Sequence, residues 1–262
     1  MIDLHNHILP GIDDGAADLD ESIEIARQFV SEGVTRVVAT PHLDPLRERG
    51  PSAVEVCRLV NDVREALHHA GVDLTILPGN ELFLTPEAPA LVQAGQVLTL
   101  GESKTLLVEI SFDLRPLYLE DTLFRLELEG FGVVLAHPER YAFIQRDVSA
   151  VDALIDRSIP LQLTAPSLLG EYGPVIQRTS EQILRRGGYA LAASDRHHPG
   201  SKRSLALLAE RLTAMGDADL ADLLLKENPG RLLAGKPLIQ PEPMGAGERS
   251  FFARLFNRRT GA

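Results

Sequence analysis

Short apolar runs alternate along the chain with stretches in which apolar residues recur at helical spacing. The runs are rich in Val, Leu and Ala and have the length of buried strands. The spaced stretches, such as the one around Ile23, Ala26 and Phe29, are typical of amphipathic helices. Strand then helix, repeated about seven times, predicts a parallel sheet covered by helices. The predicted strands are one that ends before Pro10, then 34–39, 74–77, 105–108, 132–136, 160–163 and 189–193.

The predicted helices lie between these strands, and a glycine follows several of them. We expect either Asp18 or Asp20 to cap the first helix, because a short acidic side chain can accept a hydrogen bond from the first free backbone amides. The helices are predicted over 20–31, 52–70, 120–129, 148–157, 175–186, 201–215 and 217–227.

Nearly every predicted strand ends in a histidine or an acid. In the first strand, residues two positions apart point to the same face, so His5 and His7 project together. Groups from so many strand ends converge only if the strands close into a ring, whereas an open sheet gathers its ligands at one switch point. The pattern therefore favours a distorted (β/α) barrel. The candidate residues are His5, His7, Asp14, His42, Glu81, Glu109, His137, Asp195 and His197.

These side chains are typical of a metal centre. Imidazole combined with carboxylate selects Mn, Fe or Zn rather than Ca or Mg. The full set offers too many nitrogen and oxygen ligands for one ion and suits two or three. Each residue taken alone is equally well explained as an isolated polar residue at a loop start, but that explanation is poor for the whole set.

Composition narrows the class of protein. The chain has 262 residues and a net charge of −11, which disfavours a nucleic-acid partner and is compatible with bound cations. One cysteine provides no internal disulfide. The start has no signal-peptide pattern, and no window approaches an uncharged membrane-spanning length. These features predict a cytoplasmic protein.

A cysteine-based phosphatase mechanism is excluded by spacing. That mechanism needs Cys-x5-Arg, whereas Val63 lies six residues after Cys57 and Arg64 is one position too far. The helical pattern instead predicts that Cys57 belongs to the core, near Val54 and Val60.

The metal motifs resemble those of the PHP (polymerase and histidinol phosphatase) superfamily. More narrowly, His-x-His-x-Leu-Pro-Gly-x-Asp-Asp-Gly at the start and His-Pro-Glu-Arg-Tyr from His137 resemble the bacterial manganese-dependent protein-tyrosine phosphatases of capsular and exopolysaccharide operons. The ending Glu227-Asn228-Pro229 fits the same family, and the resemblance covers about residues 1–236. It implies a distorted (β/α)7 TIM-like barrel of the PHP type.

The resemblance also implies three divalent ions, with Mn first and Fe or Zn as alternatives. Its ligand sets would be His5, His7, Glu81 and Asp195 for one ion, Glu81, Glu109 and His137 for the second, and Asp14, His42 and His197 for the third. 

Arg140 would clamp the phosphate, and either His197 or His42 would protonate the leaving tyrosine through a metal-bound water. The family usually has an arginine shortly after the last histidine, and here Lys202 and Arg203 both lie near that point. Tyr141 would either line the cleft or pack in the core.

The implied activity is hydrolysis of phosphotyrosine in a protein, with a tyrosine autokinase that controls polysaccharide export as the substrate. Two alternatives stay open. One is a PHP phosphatase acting on a small metabolite such as histidinol phosphate, against which Asp14 argues mildly because that branch tends to carry histidine there. The other is a non-catalytic metal-binding module, which the complete ligand set disfavours.

The chain divides at about Pro237. Residues 1–236 are expected to form the phosphatase domain, and residues 237–262 a Pro/Gly linker and a basic amphipathic tail. In the tail, residues 249–259 hold four arginines and no acid, with phenylalanines on one helical face. This segment would contact an anionic membrane, contact a partner or a second copy in a homo-oligomer, or pack on its own barrel.

Overall fold

The strands of the computed structural model run parallel wherever they pair. The structure describes residues 1–200, 203–215 and 218–244. The strands in this part of the chain are β1 (Ile2–Asn6), β2 (Arg36–Ala39), β3 (His42–Leu43), β4 (Thr75–Pro78), β5 (Glu81–Phe83), β6 (Thr105–Glu109), β7 (Gly132–Ala136), β8 (Leu161–Thr164) and β9 (Tyr189–Ala193).

Helices follow most of the strands, as the sequence predicts. The α-helices of the described residues are α1 (Leu19–Ser31), α2 (Ala53–His69), α3 (Ala88–Gln93), α4 (Leu119–Leu128), α5 (Ala142–Arg146), α6 (Asp152–Asp156), α7 (Ala165–Leu168), α8 (Pro174–Arg185), α9 (Leu205–Ala214), α10 (Ala218–Asp222) and α11 (Asn228–Leu233).

The strands form two sheets that continue into each other. Their orders are β1-β2-β4 and β3-β5-β6-β7-β8-β9. Only Thr40 and Pro41 separate β2 from β3, and only Gly79 and Asn80 separate β4 from β5. The backbone N–H of Glu81 donates to the Pro41 carbonyl across this break, at 3.1 Å. The chain therefore has seven strand positions, two of them occupied by a broken strand.

The last strand position lies against the first. The Asp195 N–H donates to the His5 carbonyl at 2.9 Å, and the His7 N–H donates to the Arg196 carbonyl at 2.8 Å. A parallel bridge between Asn6 and Arg196 joins the same two segments. The seven positions thus form a distorted ring, and the predicted (β/α) barrel class is confirmed.

The core has two parts, one on each side of the strands. In β7, Val133 and Leu135 pack toward the helices, whereas Val134 and Ala136 join a smaller cluster with Leu4. This alternation is the ordinary two-residue period of a strand. Burying one Val or Leu side chain stabilises the fold by about 1.5–3 kcal/mol, so both clusters fix the strand register that positions the polar strand ends.

The helix caps follow from short polar side chains. Asp18 caps α1, since its carboxylate accepts from the Glu21 N–H at 3.0 Å, and Glu21 accepts in return from the Ala17 N–H at 2.8 Å. Of the two predicted candidates, Asp18 is therefore the cap. Ser52 and Ser204 cap α2 and α9 in the same way.

Two predicted helices need correction, and several short elements, among them α3, α7 and α11, were not predicted. The helix predicted over 148–157 is a 3-10 helix (Val148–Val151) followed by α6, and the short α5 before it was not predicted. The helix predicted over 217–227 is α10 followed by a π-helix (Leu223–Glu227). The strands β3 and β5 have two and three residues, too few to give a periodic pattern.

The prediction that Cys57 belongs to the core is wrong. Cys57 is exposed, and Val54, expected on the same apolar face, is 80% exposed. Successive helix residues differ by about 100° around the axis. The buried face of α2 passes through Val56 and Val60, so Cys57 projects from its side.

The described part of the predicted linker contacts the barrel. The Asn228 side chain accepts from the Ile239 N–H and donates to the Ile239 carbonyl, at 2.9 and 2.8 Å. The Met244 N–H donates to the Arg185 carbonyl at 2.9 Å. The predicted tail at 249–259 lies outside the described residues. Within those residues, no helix combines the length and apolarity needed to cross a membrane.

Candidate metal centre and phosphate cleft

The predicted site residues meet at the carboxyl ends of the strands. They line or underlie one cleft of about 560 Å³ on that face of the barrel. His5 lies in β1, while His42 and Glu81 begin the short strands β3 and β5. The breaks in two strands thus place ligand side chains at the top of the barrel. The other six, in or just after their strands, are His7, Asp14, Glu109, His137, Asp195 and His197.

Glu81 lies at the centre of the cluster. Its Oε1 lies 2.8 Å from His137 Nε2, and its Oε2 lies 3.1 Å from His5 Nε2 and 3.0 Å from His42 Nδ1. Burial alone would raise the pKa of Glu81, but the surrounding imidazoles hold that pKa well below its usual range. His7 Nε2 lies 3.6 Å from the same Oε2, so Glu81 is a buried carboxylate that faces four imidazoles.

Three overlapping groups have ligand atoms close enough to hold a metal ion. Within each group the ligand atoms lie within 4.8 Å of one another. Glu81 belongs to two groups, and so do His7 and His42. The groups are His5, His7 and Glu81; His42, Glu81 and Glu109; and His7, Asp14, His42 and His197.

Two further candidates border these groups. Asp195 Oδ1 lies 3.5 Å from His5 Nε2 and 3.6 Å from His7 Nε2. His137 Nε2 lies 3.9 Å from Glu109 Oε2 in addition to its contact with Glu81. The structure therefore brings all nine predicted residues together. In these groups, His7 and His42 each reach a second group besides the one that the resemblance implies.

The chemistry of the donor set fits divalent cations. Among the described residues, His5 Nε2, His7 Nε2 and Glu81 Oε2 are buried and make no hydrogen bond. A buried polar atom without a partner costs about 1–3 kcal/mol. All three atoms face the same space. A cation placed there would satisfy them together.

The pKa values of two groups in the cluster are shifted because ionisable side chains lie close together there. Burial lowers the pKa of His42, but the Glu81 carboxylate outweighs burial and raises that pKa to about 9. Burial together with the Glu81 charge raises the pKa of Glu109 to about 8. Without bound cations, both groups therefore hold a proton at neutral pH.

Two supporting side chains were not predicted. Asp13 Oδ2 lies 2.7 Å from His7 Nδ1 and also accepts from the His42 backbone N–H at 3.1 Å. The carboxylate of Asp13 accepts at the ring nitrogen that faces away from the centre, which is the usual support of a metal-binding imidazole. The Gln162 amide nitrogen donates to His5 Nδ1 at 3.1 Å, which restricts the orientation of that ring. The only signal in the sequence was that Asp13 adjoins Asp14 and that Gln162 is a polar residue inside a strand.

At Gly15 the loop after β1 folds back against the end of that strand. A Cβ at Gly15 would lie 2.1 Å from the His7 carbonyl oxygen, so only glycine fits. Because of this contact, Asp14 Oδ1 lies 3.5 Å from His42 Nε2 and 3.4 Å from His197 Nε2. Hydrogen bonding to His197 lowers the pKa of Asp14, which keeps this exposed carboxylate charged.

Two of the candidates have left-handed backbones. His137 has φ of 36° and Asp195 has φ of 51°. This conformation costs a non-glycine residue about 1–3 kcal/mol and persists only where the surroundings impose it. At both positions it turns a side chain inward directly after a buried strand.

Arg140 is held between two aromatic rings. Its guanidinium carbon lies 4.3 Å from the Phe112 ring centroid and 4.8 Å from the Tyr172 ring centroid. One of its nitrogens lies 3.6 Å from Asp195 Oδ2. Burial lowers the pKa of Arg140, but the neighbouring acidic groups, with Asp195 first among them, together outweigh burial and raise that pKa, so the cation persists.

Arg203 also faces the cleft. Its guanidinium donates to His197 Nδ1 at 2.6 Å and to the Asp195 carbonyl, and it lies 5.8 Å from the Tyr172 ring centroid. Lys202, the other candidate for binding phosphate, lies outside the described residues.

The remaining residues of the His-Pro-Glu-Arg-Tyr motif are structural. Tyr141 is fully buried, donates to the Ala136 carbonyl at 2.8 Å and accepts from the Ile110 N–H at 3.2 Å. Of the two roles left open by the sequence, it therefore packs in the core. Glu139 is also fully buried and accepts from the Thr164 N–H at 3.1 Å and the Tyr189 hydroxyl at 2.8 Å, which braces β8 and β9.

Residues 1–234 match the family model described as capsular polysaccharide synthesis, CpsB/CapC. The tyrosine-protein phosphatase YwqE of Bacillus subtilis is 30% identical over 253 residues, which cover 96% of this chain and 99% of that protein. The tyrosine-protein phosphatase CpsB of Streptococcus pneumoniae is 26% identical over 242 residues, which cover 89% of this chain and 98% of that protein.

Solved structures agree with these matches. The chain superposes with a TM-score of 0.83 and 30% identity on a structure from a study of Bacillus subtilis YwqE and Streptococcus pneumoniae CpsB, described as unique metal-dependent tyrosine phosphatases. The superposition covers 95% of this chain and 100% of that one. A lactonase of Listeria monocytogenes, with a TM-score of 0.54 and 11% identity, covers 90% of this chain and 95% of its own, and shares the fold alone.

Proposed function

The chain belongs to the CpsB/CapC family of capsular polysaccharide synthesis, and we propose that it is a metal-dependent phosphatase of phosphotyrosine in proteins. One observation carries the proposal. Three overlapping groups of metal ligands surround Glu81, and Arg140 and Arg203 line the same cleft. A cation cluster beside two guanidiniums is the arrangement that stabilises a transferring phosphoryl group.

We assign three divalent ions to the cluster, with Mn first and Fe or Zn as alternatives. The unpaired donors on His5, His7 and Glu81 support the assignment. When bound, the ions supply Lewis-acid stabilisation of phosphoryl oxygens and a water acidic enough to attack at neutral pH. The proposed ligand sets are His5, His7, Glu81 and Asp195; Glu81, Glu109 and His137; and Asp14, His42 and His197.

Arg140 and Arg203 bind the phosphoryl oxygens. Guanidinium–phosphate contacts are charge-assisted and planar, so they fix the orientation of the group as well as its charge. Phe112 and Tyr172 both contact the Arg140 guanidinium, which restricts its orientation in the cleft. Arg203 is steered by its contacts with His197 and Asp195.

The leaving group of phosphotyrosine needs little protonation in order to depart. A phenol has a pKa of about 10, so its phenolate departs more readily than a serine alkoxide. We assign the proton on the leaving side to a water beside His42 or His197, since both imidazoles would be neutral when they hold an ion. His42 is 35% exposed and His197 is 15% exposed, whereas His5, His7 and His137 are buried, so only the first two meet solvent in the cleft.

The substrate that we propose is a phosphorylated bacterial tyrosine autokinase that controls capsule or exopolysaccharide synthesis, in the cytoplasm. The family description and the names of the relatives support this assignment. Nucleic acid remains disfavoured by the net charge of −11. For the tail at 249–259, contacts with a membrane, a partner, a second copy or its own barrel all remain proposals.

The test uses the full chain, stripped with a chelator and reloaded separately with Mn, Fe or Zn. Rates are measured on a phosphotyrosine peptide, a phosphoserine peptide and histidinol phosphate. We expect the phosphotyrosine peptide to react fastest with Mn bound, and His5→Ala to abolish turnover. His68→Ala, at the exposed end of α2, is the matched control.

Each alternative gives a different result. Preference for histidinol phosphate would identify a small-metabolite phosphatase. Stoichiometric metal binding without turnover of any phosphate ester would identify a non-catalytic module. Equal rates on all three substrates, or an unaffected His5→Ala variant, would contradict the proposal.

A further inference from the structure

Two arginines line the cleft away from the proposed phosphate site. Arg47 and Arg49 lie in the loop between β3 and α2, and both border the same cavity as Arg140 and Arg203. The loop follows the second of the seven strand positions, whereas Arg140 follows the fifth, after β7. In a ring of seven, these positions lie across from each other. The cleft therefore has guanidinium groups on two opposite walls.

The loop that carries Arg47 and Arg49 is tied at its base. Asp44 and Arg49 exchange two backbone hydrogen bonds, at 2.8 and 3.0 Å. The Asp44 carboxylate accepts from the Leu46 and Arg47 N–H groups at 3.0 and 3.3 Å. The two arginines therefore project from a turn that is held by its own hydrogen bonds.

The same loop ends against a proposed metal ligand. Gly50 has φ of 119°, and a Cβ there would lie 2.5 Å from the His42 carbonyl oxygen. The chain thus leaves from His42 and returns to it within nine residues. The backbone of the loop that carries Arg47 and Arg49 consequently begins and ends beside His42.

The charges of Arg47 and Arg49 are poorly compensated within the protein. Arg47 lies 3.6 Å from Asp44 with its side chain 71% exposed, and Arg49 makes no ion pair within the described part of the chain. The protein carries a net charge of −11, so uncompensated cations in its cleft are unusual. The proposed mechanism uses neither residue.

We propose that Arg47 and Arg49 form a second anion subsite, which binds a carboxylate or a second phosphate on a residue flanking the phosphotyrosine. The inference rests on the proposed function, because it places the phosphotyrosine itself at Arg140 and Arg203. A peptide that lies across the cleft would present its flanking residue to the opposite wall. The subsite would select acidic or multiply phosphorylated segments.

The experiment measures binding of three fluorescent peptides of equal length by anisotropy. Each carries a non-hydrolysable phosphonate analogue of phosphotyrosine, flanked by glutamate, by glutamine or by a second phosphonate. The Mn-loaded full chain is compared with an Arg47→Gln/Arg49→Gln variant. Arg58→Gln, on the outer face of α2 and paired with Asp62, is the control. Hydrolysis of p-nitrophenyl phosphate is measured in parallel, because this substrate has no flanking residue.

We expect the native protein to bind the glutamate-flanked or the doubly phosphonylated peptide about 3- to 10-fold more tightly than the glutamine-flanked one. This is the size of effect expected from two exposed ion pairs, each of which is weak. The double variant should lose this preference and hydrolyse p-nitrophenyl phosphate at the native rate. The preference should also shrink as salt screens the pairs. Preference for only one of the two anions would support the subsite and identify its ligand.

Equal affinity of the native protein for all three peptides would overturn the subsite. So would a double variant that keeps the preference, or one that loses affinity equally for every peptide. Absence of p-nitrophenyl phosphate hydrolysis by the native protein would instead contradict the proposed function. Because the binding measurement needs no turnover, the two failures are distinguishable.

Discussion

The Nδ1 atom of His7 lies 2.7 Å from Oδ2 of Asp13. Burial lowers the pKa of His7, but the hydrogen bonds and charges of its acidic neighbours raise it well above the ordinary value. His7 is therefore protonated on both ring nitrogens at neutral pH when no cation is bound, and a cation would displace the Nε2 proton while Asp13 keeps the one on Nδ1. Asp13 also accepts from the backbone of His42, so one carboxylate orients parts of two proposed ligands.

Replacing Asp13 should weaken the metal centre without removing a ligand. We expect Asp13→Asn to lower the affinity for Mn by about 10- to 100-fold, because the neutral amide supports the Nδ1 proton less strongly. Activity measured against Mn concentration gives the affinity. Asp20→Asn, an exposed acid in the first turn of α1, is the control. An unchanged Mn dependence in Asp13→Asn would show that the contact is not functional.

Metal uptake should release protons at neutral pH. In the stripped protein, His42 has a pKa of about 9 and Glu109 a pKa of about 8, so both are protonated at pH 7. Binding needs the neutral imidazole and the carboxylate, so ions must displace both protons. Apparent affinity should therefore rise with pH from 7 to about 9.

Calorimetry in buffers of different ionisation enthalpy counts these protons. We expect about three per protein at pH 7, from His7, His42 and Glu109, because all three have raised pKa values. Glu109→Gln should lower the count by about one, because the amide has no proton to release. An affinity independent of pH in this range would contradict the charge balance described for the cluster.

The rings on either side of Arg140 should contribute to phosphate binding. Each cation–π contact is worth about 0.5–2 kcal/mol, so Phe112→Leu or Tyr172→Leu should lower kcat/KM by about 2- to 30-fold. Inhibition by inorganic phosphate should weaken in parallel, which a general loss of fold would not produce. Tyr172→Phe keeps the ring and removes only the hydroxyl, which lies 3.5 Å from Asp195, so it should remain close to native. An equal loss in Tyr172→Phe would assign the effect to the hydroxyl.

Alkylation of Cys57 should leave the rate unchanged. The thiol is exposed on the side of α2, away from the cleft-lining residues, so iodoacetamide should label it fully. Mass spectrometry of the labelled chain and its rate on a phosphotyrosine peptide provide the check. Cys57→Ser should behave identically when treated. Inactivation that follows labelling would contradict a mechanism without cysteine.

The strand ends made it predictable that the nine candidate residues would meet. Parallel strands in a barrel bring their carboxyl ends together, so residues as distant as His5 and His197 had to meet if the strand assignment was right. The assignment relied on apolar runs such as β7 and β9, whose observed bounds equal the predicted ones. The resemblance then supplied the division among ions, which the strand order alone does not contain.

Other features depended on contacts that no local pattern encodes. Two acids adjoin in Asp13-Asp14, and the fold of the loop over Gly15 decides which one meets which imidazole. Cys57 is exposed because it follows the buried Val56 and therefore lies about 100° away from it around the helix axis. The position of Cys57 depends on rotation about the helix axis, and the contacts of Asp13 and Asp14 depend on the fold of a loop. The pattern of hydrophobic residues determines neither.

The hydrogen bonds that join β1 to the residues after β9 have a consequence for synthesis. The first ligands made, His5 and His7, leave the ribosome about 10–40 s before Asp195 and His197 at ordinary elongation rates. Until then the backbone of β1 lacks the partners that Asp195 and Arg196 provide. A nascent chain cannot complete its metal centre, so this enzyme becomes active only when nearly the whole barrel has been translated.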